Sequence, residues 1–328
     1  MSHSQRQTRI QHITAKKTGF AHKPGQGIHM QEADLDQPNP IAAIFEQYRR
    51  LLFAIAYRML GSATDAEDIV QEAFVRWLQA APAEVQSPKA FLSRIVVHLC
   101  LDQLRSARAR REEYVGPWLP EPVATDTDEE LVATAMLAES LSFAFLVLLE
   151  QLGPLERAVF LLHDVFDYDY MEIAAMVGKS AANCRQILHR ARERLRERRQ
   201  RFDVSRAEQE RITVQFMQAT MQGDMEGLLH LLSDDVVFVA DSGGKAPAGR
   251  KPVRGRENVA RGMVGFLHLM PPGLQARIAM VNGQPAILGY VDGQLYGVMF
   301  LEIVGELVGR VYMMLNPGKL AWIRARAA

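Results

Sequence analysis

The spacing of apolar residues changes near residue 206, and this change limits the folds that the chain can adopt. Before it, apolar residues recur every three or four positions, as from Ala66 to Trp77, which predicts amphipathic helices. After it, one amphipathic segment over residues 207–232 precedes short β-rich runs separated by glycine-rich turns. We therefore predict a multidomain protein in which all-α domains precede an α+β domain, with helix first and sheet after. The predicted strands lie within residues 236–240, 286–291, 295–304 and 310–315.

Composition divides the chain further. Its first residues are scattered basic, histidine and glutamine residues without an apolar period, so we expect a disordered tail, or upstream sequence before an alternative start at Met30. Prolines and acids around residues 117–128 are typical of a linker between domains. The predicted segments are a tail (1–39), a helical domain (40–114), a linker (115–129), a second helical domain (130–203) and the α+β domain (204–328).

Charge and cysteine usage narrow the class of protein. Lys and Arg together number 38, as do Asp and Glu, but arginines cluster within residues 105–111 and 185–201. Local basic clusters of this kind are typical of nucleic-acid binding. Cys100 and Cys184 lie far apart without metal-ligand spacing, so we expect buried free thiols in a reducing cytoplasm, no metal site and no cofactor. The longest apolar run is about half the length needed to span a bilayer.

One segment of the second helical domain has the pattern of a helix-turn-helix. Asp169 followed by Glu172 predicts a capping box that opens a short helix, and Gly178 ends it. Ser180 then caps a second helix, whose apolar positions recur at helical spacing up to Leu195. This motif places its second helix in the major groove of DNA, where Asn, Gln and Arg match base edges. The candidate DNA-binding residues are Lys179, Ser180, Asn183, Arg185, Gln186 and Arg190.

The arginines beyond this motif, within residues 192–201, have two interpretations. One is contact with DNA phosphates further along the groove. The other is a solvated helix face on which arginines pair with acids four positions away, such as Glu193 and Glu197. The sequence leaves both interpretations open.

Two helical segments of the first domain differ in charge. One presents acids opposite its apolar stripe, and because acids repel DNA phosphate we expect a protein partner there, with a solvated face as the alternative. We name these residues the acidic face: Asp65, Glu67, Asp68, Gln71 and Glu72. The next segment, residues 91–111, mixes aromatic and basic side chains as single-strand binders do, although Phe91 also suits the core.

These segments resemble a known family. DAEDIVQEAF at residues 65–74 and SPKAFLSRIVVHLCLDQLRSARARR at residues 87–111 resemble region two of extracytoplasmic-function (ECF) sigma factors. Residues 152–195 resemble their region four. The resemblance implies a region two helical bundle, a region four helix-turn-helix, and a protein that binds core RNA polymerase and directs promoter-specific transcription initiation.

The resemblance also implies roles for the candidate residues. The acidic face is expected to dock on the clamp helices of the largest polymerase subunit, and the flap is a further expected contact. The loop over residues 80–87 and the helix over residues 89–111 are expected to capture the non-template strand of the minus-ten element, while the helix-turn-helix reads the minus-thirty-five element as duplex. The implied strand-binding residues are Lys89, Arg94, Arg105 and Arg108.

The last domain carries marks of its own. WLPEP at residues 118–122, DSGGK at 241–245 and NPGKL at 316–320 resemble the subgroup with a fused C-terminal SnoaL-like, nuclear-transport-factor-like cone. The resemblance implies that this domain regulates the sigma domains in cis and that its pocket offers room for an unidentified small-molecule ligand. Ser242 and Gly318 depart from the pattern, which has glycine and an acid there. The implied interdomain residues are Trp118, Leu119, Pro120, Asp241, Gly243, Gly244, Lys245, Asn316 and Pro317.

Two alternative functions remain open from the sequence. A helix-turn-helix regulator with a ligand-sensing domain binds its operator without polymerase, but it leaves the acidic face without a role. Residual isomerase-type activity needs Asp241 as a general base, with Tyr290, Tyr296 or His268 as its partner. Asp241 precedes Ser-Gly-Gly, where aspartate commonly forms turns, so we expect no catalytic residue and no enzyme activity.

Overall fold

The computed structural model describes residues 40–80, 85–112, 114–124, 142–199 and 204–327. All of them belong to one compact unit, Pro40–Ala328. The expectations for the tail, for residues 81–84 of the loop, for residues 125–141 of the linker and the second helical domain, and for residues 200–203 lie outside the described residues. The same holds for the side chains of Arg108 and of the arginines after Arg196. Within them, no helix is both long and apolar enough to cross a membrane.

The first helical segment is a three-helix bundle around Trp77. Trp77 is fully buried, and its indole N–H donates to the Ile41 carbonyl 2.8 Å away, which ties the second helix to the start of the first. Ser62 opens the second helix because its Oγ accepts from the Asp65 amide at 3.1 Å. The helices are α1 (Pro40–Leu60), α2 (Ala63–Gln79) and α3 (Pro88–Glu112).

The second helical segment begins with a short helix that is apolar all round, FAFLVLL. Six of its seven residues are buried, as such a composition requires. Its first residues pack toward the C-terminal domain, whereas Phe145 and Leu149 pack in the helical core. The helices are α4 (Phe143–Leu149), α5 (Pro154–Phe160), α6 (Tyr170–Val177) and α7 (Ala181–Arg199), with a π-helical turn at Leu161–Val165.

The two helical segments share one hydrophobic core. Buried side chains from α1, α2 and α3 form a continuous cluster with those of α4 to α7. Polar contacts cross the same boundary: Ser93 Oγ lies 2.8 Å from the Tyr168 hydroxyl. Arg157, which is 3% exposed, donates to the Met59 carbonyl at 2.7 Å. The segments are therefore packed against each other along this core.

The C-terminal domain is a six-stranded sheet with helices packed against it. The strand order is β2-β1-β6-β5-β4-β3; β1 and β6 are parallel, and the other neighbours are antiparallel. Asn282-Gly283 and Asp292-Gly293 make two tight hairpin turns, and all four of these residues have positive φ. The elements are α8 (Arg206–Gln222), α9 (Met225–Leu231), β1 (Leu232–Asp241), β2 (Val253–Arg254), α10 (Arg256–Leu269), β3 (Gln275–Val281), β4 (Gln284–Val291), β5 (Gln294–Val304), β6 (Leu307–Met314) and α11 (Ala321–Ala327).

The two faces of this sheet bury different partners. Because side chains alternate along a strand, Met299 and Met313 face α8 and α10 inside the cone. Their neighbours Phe300 and Tyr312 face the other way and pack on Phe143 of α4, with the Phe143 and Phe300 rings stacked 4.0 Å apart. The sheet is thus the wall between the cone interior and the helical part of the chain.

The α+β architecture was predicted correctly, but the order of its elements was predicted only in part. The single amphipathic segment expected over residues 207–232 is two helices, because Gly223 ends α8 in the left-handed conformation at φ 66°. The expected order of helix before sheet holds for α8 and α9, which precede β1, but not for α10 and α11, which follow the first strands. The sequence pattern missed α10, which contains Gly262 and Gly265 at exposed positions, and the half-exposed edge strand β3.

Replacing Phe143 by alanine tests how strongly α4 holds the two parts together. The ring is fully buried, so its truncation leaves a cavity, and we expect the free energy of unfolding to fall by about 3–5 kcal/mol. Urea denaturation followed by tryptophan fluorescence measures the change. Met171→Ala, at a side chain 72% exposed, should shift it by less than about 0.5 kcal/mol. Equal effects of the two substitutions would contradict the packing described.

Candidate nucleic-acid interface and linker clasp

The predicted helix-turn-helix is confirmed at α6 and α7. The Asp169 carboxylate accepts from the amides of Met171 and Glu172 at 2.7 and 2.8 Å, and the Glu172 carboxylate accepts from the Asp169 amide at 3.0 Å. This capping box satisfies the first amides of α6. Gly178 ends α6 at φ 66°, and Ser180 Oγ accepts from the Asn183 amide at 3.2 Å to open α7.

The second helix of the motif has one buried and one exposed face. Cys184, Ile187 and Leu188 are buried in the core, which fixes the rotation of α7 about its axis. The opposite face carries mainly polar and basic side chains. Among them are arginine guanidinium groups and the side-chain amides of Asn183 and Gln186, whose geometry matches base edges. All the residues predicted to bind DNA there are exposed: Lys179, Ser180, Asn183, Arg185, Gln186 and Arg190.

Other contacts on α7 were not apparent from the sequence. The Arg185 guanidinium lies over the Tyr170 ring, 5.0 Å from its centroid, which orients this arginine. Arg192 donates to the Asp164 carboxylate at 2.6 and 2.9 Å, and these hydrogen bonds raise the pKa of the arginine. Arg194 binds Glu156 at 2.6 Å. These two distal arginines therefore brace α7 against the preceding turns.

The acidic face lies on α2. Asp68, Gln71 and Glu72 are exposed, whereas Asp65 and Glu67 are half-buried. Two of the acids have basic neighbours: Glu67 pairs with Arg49, and Glu72 pairs with Arg76 at 2.9 Å. Beside the acids, two apolar side chains are exposed by nearly half, Val75 and Leu78. Acids bordered by exposed apolar groups favour a protein partner over solvent, and the sequence pattern alone missed this border.

The basic helix α3 is partly covered by the second helical segment. Lys89, Arg94 and Arg105 are exposed. However, the Lys89 ammonium lies 4.8 Å from the centroid of the Tyr168 ring, and Ser93 of the same helix bonds the Tyr168 hydroxyl. The start of α3 therefore contacts the loop that leads into the helix-turn-helix.

A buried carboxylate joins the linker to the C-terminal domain. Asp241 ends β1 with no exposed surface and accepts the Tyr114 hydroxyl at 2.5 Å, the Leu119 amide at 2.8 Å and the Lys319 ammonium at 2.7 Å. It also accepts the Gly243 amide at 3.1 Å, which is the turn expected from its sequence context. Burial and Asp241 together raise the pKa of Tyr114, so the phenol stays protonated and donates.

The ammonium of Lys319 closes this site from the other side. It donates to the Leu119 carbonyl at 2.5 Å and lies 4.1 Å from the centroid of the Trp118 ring. Asn316 donates to the Tyr114 hydroxyl at 2.7 Å. Charge, hydrogen bonds and aromatic contact thus fix the linker at several consecutive residues.

A second polar site lies at the other end of the linker. Asn282 pairs with the backbone of Val123 in both directions, at 2.8 and 3.0 Å, and donates to the Tyr57 hydroxyl at 2.7 Å. That hydroxyl donates to the Glu121 carbonyl at 2.6 Å. The Tyr57 side chain of α1, the backbone of the linker and Asn282 of the β3–β4 turn therefore form one buried chain of hydrogen bonds.

The first helical segment also contacts the linker directly. The Glu121 amide donates to the Gly61 carbonyl at 2.8 Å, and the Glu121 carboxylate accepts the Thr64 amide at 3.0 Å. Gly61 has φ 66°, and a Cβ there would lie 2.9 Å from the Trp118 ring, so glycine meets both the turn and the close approach. We call residues 114–123 with these contacts the linker clasp.

The predicted interdomain residues separate into two groups. Trp118, Leu119, Pro120, Asp241, Gly243 and Asn316 lie in the clasp, and Gly244 packs against Val115. Lys245 and Pro317 are exposed. Four further residues of these contacts were not predicted from the sequence: Tyr57, Tyr114, Asn282 and Lys319. Lys319 could have been predicted from the sequence, because it lies inside the NPGKL motif.

The groups proposed for isomerase-type chemistry are not assembled. Asp241 binds the linker, whereas Tyr296 lines the interior of the cone on the opposite side of the sheet. Tyr290 bonds Arg277, and His268 is exposed. Among the described residues, no group of three His, Cys, Asp or Glu side chains has the arrangement of a metal site, and Cys100 and Cys184 are free and buried.

Comparison with known proteins gives this arrangement a family. The Sigma-70 region 2 family matches residues 44–110, and the Sigma-70 region 4 family matches residues 142–195. The chain is 40% identical over 259 residues to the ECF RNA polymerase sigma factor SigJ of Mycobacterium tuberculosis, covering 77% of this chain and 81% of that protein. It is 33% identical to the probable ECF RNA polymerase sigma factor SigI of the same species, covering 89% and 98%.

A solved structure extends the likeness to the whole architecture. The crystal structure of the Mycobacterium tuberculosis extracytoplasmic function sigma factor SigJ covers 86% of this chain and 98% of its own, with 34% identity and a TM-score of 0.70. Two helical sigma domains followed by a SnoaL-like cone define a promoter-recognition factor of the sigma class. The chain belongs to the ECF RNA polymerase sigma factors, which direct promoter-specific transcription initiation.

The substitution Asp241→Asn tests the linker clasp. Asparagine has nearly the same shape, but it leaves Lys319 buried without its counter-charge and turns an NH₂ group toward other donors. We expect a loss of about 3–5 kcal/mol of stability and faster hydrogen exchange at the Leu119 amide. Hydrogen-exchange mass spectrometry measures the second effect. Asp235→Asn, at an exposed carboxylate on the same strand, is the matched control and should leave Leu119 protected. Unchanged protection in both variants would mean that the pair does not hold the linker.

Proposed function

We propose that this sigma factor binds core RNA polymerase through the acidic face and reads its promoter with α3 and α7, under the control of the C-terminal domain. The observation that carries the proposal is the presence of three chemically different surfaces on one chain. The acidic, apolar-bordered surface of α2 suits a protein, whereas the basic helix α3 and the exposed polar face of α7 suit nucleic acid. An ordinary helix-turn-helix regulator needs neither the acidic surface of α2 nor the basic helix α3.

The expected polymerase contact is the clamp-helix surface of the largest subunit, with the flap as a second contact. Asp68 and Glu72 are the most accessible acids of the face, and Val75 and Leu78 extend the surface by one helical turn. Glu67 is already engaged by Arg49, so its contribution is mainly to hold α1 against α2. The acids supply orientation, and the apolar border supplies buried area.

Promoter reading divides between the two basic surfaces. We propose that Lys89, Arg94, Arg105 and Arg108 contact the separated strand of the minus-ten element, where bases leave the stack at a cost of a few kcal/mol that protein contacts offset. The α7 face is proposed to read the minus-thirty-five element as duplex, with Arg185 oriented by Tyr170 for a base or phosphate contact.

The packed arrangement supports control by the C-terminal domain. Promoter elements centred roughly 25 base pairs apart are about 85 Å apart on duplex DNA, at about 3.4 Å per base pair. In the chain, Ser93 of α3 and Tyr168 beside α6 are in hydrogen-bond contact. We therefore infer that the two reading helices separate on the promoter, and that the linker clasp and α4 oppose this separation. In this proposal the C-terminal domain regulates in cis and catalyses no reaction, and the protein acts in the cytoplasm.

Charge reversal on the acidic face tests the polymerase contact. Asp68→Lys with Glu72→Lys replaces attraction by repulsion, so we expect association with purified core polymerase to weaken about tenfold or more, equivalent to about 1.4 kcal/mol. Transcription from a selected promoter library should fall in parallel. Glu226→Lys with Glu257→Lys changes two carboxylates on the C-terminal domain that are more than 80% exposed. This matched control should keep both polymerase association and transcription at the wild-type level.

The same assay separates the alternative regulator. A sigma factor gives promoter-specific transcripts with core polymerase and binds duplex promoter poorly alone. Tight operator binding by the isolated chain, without any transcript from core enzyme, would overturn the proposed function. Unchanged polymerase association after charge reversal would overturn the assignment of the acidic face alone.

A further inference from the structure

The interior of the C-terminal cone contains a narrow cavity of about 60 Å³. It lies between α8, α10 and the face of the sheet that carries Met299 and Met313. Methionine dominates its wall, with sulfur and methyl groups that adapt to differently shaped partners. The methionines that line it are Met217, Met221, Met263, Met270, Met299 and Met313.

Polar groups are scarce in this wall. Among the described residues that line the cavity, none is charged, and only Thr220 and Tyr296 carry a polar side-chain oxygen or nitrogen. Thr220 is 9% exposed, and its Oγ1 has no hydrogen-bond partner. This is unusual for a buried helical threonine, whose hydroxyl commonly bonds the carbonyl four residues earlier. An unpaired buried hydroxyl is costly, so it calls for a partner within the cavity.

We propose that this cavity binds a small, uncharged, largely hydrocarbon molecule with one hydroxyl or carbonyl group, which hydrogen-bonds Thr220. A water molecule needs about 10–15 Å³ of such space, so the cavity holds the equivalent of about four to six waters. Benzene fills an apolar protein cavity of about 150 Å³, so a single-ring ligand enters only when the flexible methionine side chains of the wall move outward. A charged ligand is disfavoured because the wall offers no counter-charge. The inference deepens the proposed regulation by the C-terminal domain and rests on it for its consequence.

Only the sheet separates the cavity from the helical part of the chain. Met299 and Met313 line it, and the next residues on the same strands, Phe300 and Tyr312, pack on Phe143 of α4. A ligand that spreads β5 and β6 therefore acts on the strands that carry this contact. This gives the ligand a physical route to α4 without contact with polymerase or DNA.

The test uses the full-length protein and three ring compounds of nearly equal size: p-cresol, toluene and p-toluate. Binding is followed by isothermal calorimetry and by NMR of methyl-labelled methionines, of which the chain has 15. We expect saturable binding of p-cresol with shifts at the cavity methionines, weaker binding of toluene and none of p-toluate. Thr220→Val keeps the shape but removes the hydroxyl, so it should weaken p-cresol about fivefold and leave toluene unchanged.

Ala276→Leu, which fills the cavity from β3, should abolish binding of both p-cresol and toluene and serves as the site control. Absence of saturable p-cresol binding, equal binding of p-toluate, or equal p-cresol affinity after Thr220→Val would each overturn the inference. Transcription by the unliganded wild-type protein is measured separately with core polymerase. Failed binding beside intact transcription refutes only the ligand site, whereas failed transcription beside intact binding refutes the proposed function.

Discussion

The buried ion pair of Asp241 and Lys319 is the interaction on which the arrangement of the chain depends. Asp241 has no exposed surface and Lys319 is 7% exposed, and charges buried so deeply are stable only when hydrogen bonds satisfy both. The linker supplies those bonds: Tyr114 and the Leu119 amide reach the carboxylate, and the Leu119 carbonyl reaches the ammonium. Because the pair is incomplete without the linker, the linker and the C-terminal domain are expected to form their structure together.

This constraint extends into the sigma domains. The linker leaves the ion pair and continues to Tyr57 and Gly61, so α1 is held by the same segment that binds the cone. On the other side, α4 buries Phe143 against the sheet and Phe145 in the helical core. Region two and region four are therefore both joined to the C-terminal domain and share one core. The contact of Lys89 and Ser93 with Tyr168 follows from that packing and brings the two proposed DNA-reading surfaces together.

The sequence predicted local features well because short-range chemistry determines them. The capping box at Asp169, the turn at Gly178 and the cap at Ser180 are each made within a few residues, so the helix-turn-helix was predicted almost residue by residue. The clasp joins residues far apart in the chain, such as Tyr57 and Asn282, and no periodicity relates them. Family motifs, rather than patterning, located its Trp118 and Asp241 ends.

The distance between region two and region four, with and without promoter, tests the central claim most directly. Spin labels are attached to cysteines introduced at two exposed positions, His98 on α3 and Met171 on α6. The native Cys100 and Cys184 are protected from labelling because they are buried, and burial raises the pKa of their thiols. Double electron–electron resonance spectroscopy then measures the distance between the two labels. We predict one short distance in the free protein and an increase by tens of ångströms in the complex with core polymerase and promoter, toward the spacing of about 85 Å between the elements. A long distance in the free protein, or the same distance in both states, would contradict a closed form held by the clasp.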